Sequence, residues 1–169
     1  MNKSFVRYLL ILAFVLLWLI LDIHPALAQD SAVNYTYANL ENQDLSHRNL
    51  VGSVFAAADM RGVNLEDSDL SKGILTEAIL LRANLRGANL SGALLDRVTL
   101  DFADLTNARL MDTIATRTRF YDTIITGADF TDAVIDNYQV KLLCERADGI
   151  NSITGVSTCL LYTSPSPRD

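Results

Sequence analysis

Residues 83–92 read Ala-Asn-Leu-Arg-Gly-Ala-Asn-Leu-Ser-Gly, which is one five-residue pattern written twice. Working outward from its two leucines, a large apolar residue recurs at every fifth position from Leu40 to Ile135, and only Ala115 in this series is small. The position two places before each of these centres is mostly Ala, Ser or Thr. Because the series has no register slip, residues 38–137 are predicted to repeat one unit of local structure.

A period of five fits neither regular element. An α-helix turns about 100° per residue, so apolar residues five apart would spread around its whole surface. In a strand an odd period sends successive centres to opposite faces. The chain must therefore bend once in every pentad so that each centre points to a common axis. This predicts a solenoid whose coils pair their backbone groups with the coils on either side.

A second, weaker period sets the length of one coil. The residue just before each centre is mostly Asp or Asn, but every fourth one is aliphatic. These aliphatic residues form what we call the apolar column: Val54, Ile74, Leu94, Ile114 and Val134. A repeat of twenty residues predicts four pentads per coil, hence about five coils between residues 38 and 137.

The decapeptide at 83–92 resembles the pentapeptide-repeat family, whose pattern is Ala-(Asp/Asn)-Leu-x-x. The resemblance covers Ala38 to Asn137 and is highly specific, and the chain resembles exported members from the thylakoid lumen of cyanobacteria and chloroplasts. It implies an all-β fold, namely a right-handed quadrilateral β-helix, with the centre and the small residue pointing inward. It also implies a protein that is not an enzyme.

The amino-terminal segment is predicted to be an export signal. Lys3 and Arg7 precede an apolar run from Tyr8 to Leu21, and Ala26-Leu27-Ala28 offers a cleavage site. The alternative is an uncleaved anchor, but the run is shorter than the roughly 20 residues that span a bilayer. We expect residues 1–28 to be removed, leaving no stable membrane anchor. The mature protein would then lie in the thylakoid lumen of a cyanobacterium, or otherwise in the periplasm.

Both open ends of a solenoid need covers. Residues 29–37 are predicted to form the amino-terminal cap and residues 138–158 the carboxyl-terminal one. In the latter, Asp136 or Asn137 is expected to cap a short helix carrying Tyr138 and Leu142 with Leu143, which Asp148-Gly149 would stop.

The last residues share no pattern with the repeat. Leu161 to Asp169 resemble translated sequencing-library adapter, and the suspect tail is taken as 159–169; an ordinary disordered tail is the alternative. Cys144 and Cys159 are the only cysteines. In an exported chain two cysteines suggest a disulfide, and lumenal members of the family often close the carboxyl-terminal cap with one. The predicted bridge requires that Cys159 is genuine.

No residue set predicts catalysis, a metal site or a cofactor. His47 is the only histidine beyond the predicted leader and is expected to be a surface residue. The outward Asp residues are expected to form a solvated face, because general acid–base chemistry needs enclosed carboxylates. A formal net charge of −6 argues against nucleic-acid binding, which needs a basic surface.

The apolar column is the one feature that the repeat does not demand. Contiguous apolar surface usually marks a contact site, so we expect the column to bind a protein partner or a second copy. The alternatives are that a cap folds over it, or that β-branched residues simply suit an extended backbone. The predicted function is a non-enzymatic interaction scaffold. A DNA-mimicking inhibitor of an enzyme such as gyrase is the second reading, which the export signal disfavours.

Overall fold

The computed structural model describes residues 32–158. Within this range the chain is mostly non-helical. Its regular elements are two short strands, β1 (Ile114–Ala115) and β2 (Val134–Ile135), and one helix, α1 (Asn137–Cys144). The predicted leader, residues 29–31, Cys159 and the rest of the suspect tail lie outside the described residues.

The chain returns alongside itself every twenty residues. Parallel bridges join Asn64 to Asn84 and Asn84 to Asp104, and the same spacing holds along the whole ladder. Strands β1 and β2 continue it, with Ile114 paired to Val134. The twenty-residue spacing predicted from the apolar column is therefore the spacing of the backbone ladder.

The backbone hydrogen bonds explain how a pentad is held. Taking the pentad around Leu85, the N–H of Asn84 donates to Val63 in the preceding coil, and the N–H of Leu85 donates to Asp104 in the next. The N–H of Gly87 likewise donates to Thr106 in the next coil. The N–H of Ala88 closes a turn onto the carbonyl of Leu85 at 3.1 Å. Four of the five backbone donors are thus satisfied by main-chain carbonyls.

Each corner is a β-turn whose third residue has positive φ. At Gly87 and Gly92 φ is 65° and 67°, as the predicted role of glycine in tight bends requires. Most corners nevertheless carry a side chain in this left-handed region, among them Lys72 with φ of 58°. The turns have the φ pattern of type II, which normally favours glycine at this position.

The core is a stack of inward side chains. The centres Leu65, Leu85 and Leu105 are completely buried, as are the small residues Ala78 and Ala88. Burial of each leucine contributes about 1.5–3 kcal/mol before the entropy of ordering is counted. At the carboxyl end two aromatic centres, Phe120 and Phe130, pack edge to face with centroids 6.3 Å apart.

The ladder begins earlier than the repeat pattern indicates. Asn34 bridges to Val54, and the ring of Tyr35 stacks on Phe55 with centroids 4.9 Å apart. Tyr35 therefore occupies a centre position, and residues 33–37 follow the solenoid path although they were assigned to a separate cap. The sequence pattern was taken to start at Leu40, because tyrosine with its polar hydroxyl is a less typical centre than leucine or phenylalanine. In the structure Tyr35 is only partly buried.

Helix α1 lies at the predicted place but is capped differently. Asp136 precedes it without a side-chain bond to the helix, because its carboxylate accepts the backbone N–H of Arg117 at 2.6 Å. The helix also ends at Cys144, before Asp148-Gly149. Leu143 is buried in the core, whereas Tyr138 remains 70% exposed.

Candidate interaction surface

Where a pentad carries an outward Asp or Asn, the side-chain oxygen of that residue accepts the fifth backbone N–H. Oδ1 of Asn84 accepts the N–H of Arg86 at 3.2 Å, and Oδ1 of Asp69 accepts that of Ser71 at 2.9 Å. This Asx turn satisfies the corner amide that no main-chain carbonyl reaches. Sequence reasoning assigned these residues only to a solvated face; the structure gives them a structural role.

Side chains of this position also bond between coils. The amide of Asn64 donates to Asp44 at 3.0 Å, and that of Asn84 donates to Asn64 at 2.9 Å. Asn89 donates to Asp69 in the same way at 3.0 Å. The polar columns therefore form side-chain ladders parallel to the backbone ladder, and each member stabilises two coils.

Hydrogen bonds also lower the pKa of several outward carboxyl groups. The hydroxyl of Ser46, and then its backbone N–H, hold the pKa of Asp44 below its ordinary value. The guanidinium of Arg61 lowers the pKa of Asp59 by a side-chain hydrogen bond, and the hydroxyl of Thr116 lowers that of Asp96. All three act as hydrogen-bond acceptors in the ionised form, which is the form their neighbours stabilise.

The apolar column departs from this scheme. Its members pair in sequence along the ladder, from Val54 to Val134, and all five point outward. Ile74, Ile114 and Val134 are 40%, 46% and 55% exposed, while Val54 and Leu94 are half-buried. Within residues 32–158, neither of the predicted covers lies over this column closely enough to bury it.

An aliphatic residue cannot make the Asx turn, so the corner amides beside the column lose their acceptor. The N–H groups of Ala56, Thr76 and Asp96 have no hydrogen-bond acceptor among the described residues, and the same holds for Thr116. Where the position before the centre is Asp or Asn, the equivalent N–H is bonded, as at Ser71 and Arg86. The column therefore combines exposed aliphatic side chains with a row of available backbone donors.

Further aliphatic and aromatic residues lie on other faces. Ile79 and Ile124 are 40% and 51% exposed at the same position of their pentads. The ring of Tyr121 contacts that of Phe102 edge to face at 5.4 Å, and the guanidinium of Arg82 lies 5.9 Å from the Phe102 centroid. Unlike the column, Ile79 and Ile124 do not pair with each other along the ladder.

Two polar residues that sequence reasoning missed hold the carboxyl-terminal cap. Asn151 is buried, and its amide donates to the carbonyls of Asn107, Ala108 and Gly127. Arg146 donates to the carbonyl of Phe120 at 2.9 Å. Both side chains therefore tie the carboxyl-terminal cap to main-chain carbonyls of the last coils. No local sequence signal marked them, because the solenoid carbonyls that they bond are 23 to 44 residues away.

The single histidine and the single cysteine of the described residues are not members of the apolar column. His47 is exposed and lies 3.9 Å from the carboxylate of Asp67. Cys144 is half-buried at the end of α1, whereas its predicted disulfide partner Cys159 lies outside the described residues. Residues 32–158 contain no group of three His, Cys, Asp or Glu side chains arranged to hold a metal ion. Over the same range no helix has the length and apolar character needed to cross a membrane.

Comparison with known proteins identifies the class of this solenoid. The family model "Pentapeptide repeats" matches eight copies of the motif over residues 36–71, 64–101 and 93–132. A pentapeptide repeat protein from the thylakoid lumen of Arabidopsis thaliana is 33% identical with a TM-score of 0.59; the match covers 70% of this chain and 86% of that one. The chain belongs to the pentapeptide repeat family, whose members are generally non-enzymatic repeat proteins.

Two further solved structures are similar at lower sequence identity. HetL, a pentapeptide repeat protein involved in heterocyst differentiation regulation in the cyanobacterium Nostoc, is 29% identical with a TM-score of 0.58. That match covers 60% of this chain and 48% of HetL. QnrB1, a plasmid-mediated fluoroquinolone resistance protein, is 18% identical over 67% of this chain and 70% of its own, with a TM-score of 0.35, and carries no functional argument. A search of curated proteins gave no match.

Proposed function

We propose that this protein is a non-enzymatic interaction scaffold whose apolar column binds a protein partner or a second copy of the chain. The observation that carries the proposal is the loss of the Asx turn along one face. Val54, Ile74 and Leu94 stand where the repeat mostly places Asp or Asn, and three corner amides beside them lack an acceptor among the described residues. Aliphatic residues at these positions remove hydrogen bonds that contribute about 0.5–1.5 kcal/mol each. A contact with a partner would offset this loss of stability.

The dimensions of the column indicate the scale of the contact. At a strand spacing of about 4.8 Å its five members span about 19 Å. A stable interface buries about 800 Å² on each partner, which is more than one column of aliphatic side chains offers. The column is therefore proposed as the centre of the interface, with the flanking corner residues forming its rim.

We also propose an exported location, in the thylakoid lumen or the periplasm. The support is the predicted leader together with the 33% identity to a protein from the Arabidopsis thylakoid lumen. Cell fractionation with an antibody against residues 32–158 tests this. Recovery in the soluble lumenal or periplasmic fraction is expected, and recovery in the cytoplasm would contradict it.

The finer architecture proposed is a right-handed, four-sided helix of about five coils. Its support is the twenty-residue bridge spacing combined with one corner per pentad. A crystal structure with another coil length would overturn it.

A DNA-mimicking gyrase inhibitor is less well supported. Such a role needs a continuous acidic surface, but several outward carboxylates are paired with cations. Arg61 pairs with Asp59, Arg86 with Asp104 and Arg117 with Asp96. These pairs interrupt the negative surface that would imitate a phosphate backbone.

The proposed contact through the apolar column is tested with the double variant Ile74→Asp/Ile114→Asp. The variant and the wild type are compared by native mass spectrometry and by crosslinking pull-down from the native compartment. The matched control is Ile79→Asp/Ile124→Asp, because these residues have similar exposure at the same pentad position on other faces. We expect the first variant to lose its dimer or its crosslinked partner and the control to keep it. An unchanged partner profile in a folded first variant would remove the proposal.

A further inference from the structure

A cleft of about 430 Å³ lies between the last pentads of the solenoid and helix α1. Its walls include Tyr121 and Asp122 from the solenoid, and Tyr138, Leu142 and Glu145 from the helical cap. It is far in sequence from most of the apolar column and is built from different residues.

The cleft arises because the cap segment carries two distinct side-chain stripes. Val140, Leu143, Cys144 and Ala147 follow helical spacing and pack against the core. Tyr138, Leu142 and Glu145 follow the same spacing on another side of the segment. The first stripe fixes the helix in place, so the second stripe forms a wall of fixed position.

The cations of the cleft are already engaged. Arg119 pairs with Asp101, a residue that is only 4% exposed. Arg146 donates to the main-chain carbonyls of Phe120, Thr123 and Leu142. The charge of Arg119 is thus already matched by a carboxylate of the chain, and the guanidinium of Arg146 is held against main-chain carbonyls.

The carboxylates of the cleft are not engaged. Among the described residues neither Asp122 nor Glu145 has an ion pair or a side-chain hydrogen bond within the chain. Beside them, Tyr121 is 62% exposed and Tyr138 is 70% exposed. Carboxylates and aromatic faces both attract cations, and aromatic residues favour the planar guanidinium in particular.

We propose that this cleft docks a basic segment of a protein partner, with an arginine or lysine side chain lying against the tyrosines and facing Asp122 and Glu145. The charge complementarity of the available groups, together with the formal net charge of −6, selects a cationic occupant. This goes beyond the proposed function, since it uses a second surface and does not depend on the apolar column.

The experiment is an NMR titration of the purified protein with the peptide acetyl-Arg-Arg-amide. The neutral probe is the same peptide with citrulline in place of arginine, which keeps the shape and removes the charge. The test variant is Asp122→Asn/Glu145→Gln. The matched control is Asp112→Asn/Asp132→Asn, which removes the same charge from two exposed corner residues elsewhere.

We expect the arginine peptide to shift resonances of Tyr121, Tyr138 and Leu142, and the citrulline peptide to shift them far less. The test variant should bind about fivefold more weakly, whereas the control should change by less than about twofold, as expected for partly exposed charge pairs. Equal binding of the citrulline peptide, equal weakening in the control, or shifts that map outside the cleft would each overturn the proposal. The variant Ile74→Asp/Ile114→Asp should bind the peptide like the wild type, which separates this test from that of the proposed function.

Discussion

The side-chain amide of Asn84 donates a 2.9 Å hydrogen bond to the side-chain oxygen of Asn64, which lies one coil earlier. The oxygen of Asn84 in turn accepts the backbone N–H of Arg86. One residue therefore joins two coils and closes a corner. This double role explains why the repeat places Asp or Asn at this position and why the aliphatic residues of the apolar column stand out.

Replacing Asn84 by alanine is expected to destabilise the protein by about 1 kcal/mol or more, because a corner amide and a ladder bond lose their partners. Chemical denaturation measures the change. Thr99→Ala is the matched control, since Thr99 occupies the same pentad position without a side-chain hydrogen bond among the described residues. Equal losses in both variants would show that the Asx bonds contribute nothing specific.

Replacing Leu85 by lysine is expected to unfold the domain. Leu85 is completely buried, so the change removes apolar burial and places an unpaired ammonium in the core. Leu94→Lys is the control, because Leu94 points outward and is only half-buried. Circular dichroism melts should show no cooperative transition for the first variant and a near-native one for the second. Similar melts for the two would refute the inward and outward assignment.

At the positive-φ corner positions, replacing glycine by alanine is expected to lower the stability of the protein, whereas replacing alanine by glycine is not. Gly92→Ala should destabilise by about 1 kcal/mol, because φ there is 67° and alanine disfavours it. The only heavy atom near the added Cβ is Cγ of Lys72 at 3.9 Å, so a clash does not contribute. Ala57→Gly relaxes the same strain at φ of 53° and should be neutral or stabilising. Urea midpoints that move the same way in both variants would contradict the left-handed corner.

Acid is expected to destabilise the protein. Hydrogen bonds lower the folded-state pKa of Asp44, Asp59 and Asp96 below the ordinary 3.8. The stability that these ionised carboxylates contribute is thus fully present above pH 3.8. It is lost as the pH falls through their lower folded-state pKa values. Urea midpoints measured from pH 7 to pH 3 should be flat at first and fall below about pH 4. Asp44→Asn keeps the acceptor without the titration and should reduce the fall, and a midpoint that rises on acidification would be the opposite result.

The predicted disulfide has a direct chemical test. If Cys144 and Cys159 are bridged, a maleimide reagent should label no thiol before reduction and two thiols after it. Intact mass spectrometry counts the labels. Two labels without reduction would exclude the bridge in the isolated protein.

The repeat was predictable because it is a property of sequence spacing alone. Leu65 and Leu85 had to converge on one axis once helix and strand were excluded, and the aliphatic series through Ile74 set the coil length. The corners were less predictable, since a residue such as Lys72 takes a positive φ only because the bonds to both neighbouring coils enforce it. Asn151 was invisible for a related reason: its role depends on carbonyls that only the folded solenoid brings to one place.

The central claim is that residues twenty positions apart lie directly over one another. Methyl–methyl nuclear Overhauser effects in leucine-labelled protein test it, because adjacent coils are separated by about 4.8 Å. The account predicts strong contacts from Leu65 to Leu85 and from Leu85 to Leu105. Absence of these contacts, with Leu85 instead close to residues three or four positions away, would contradict it.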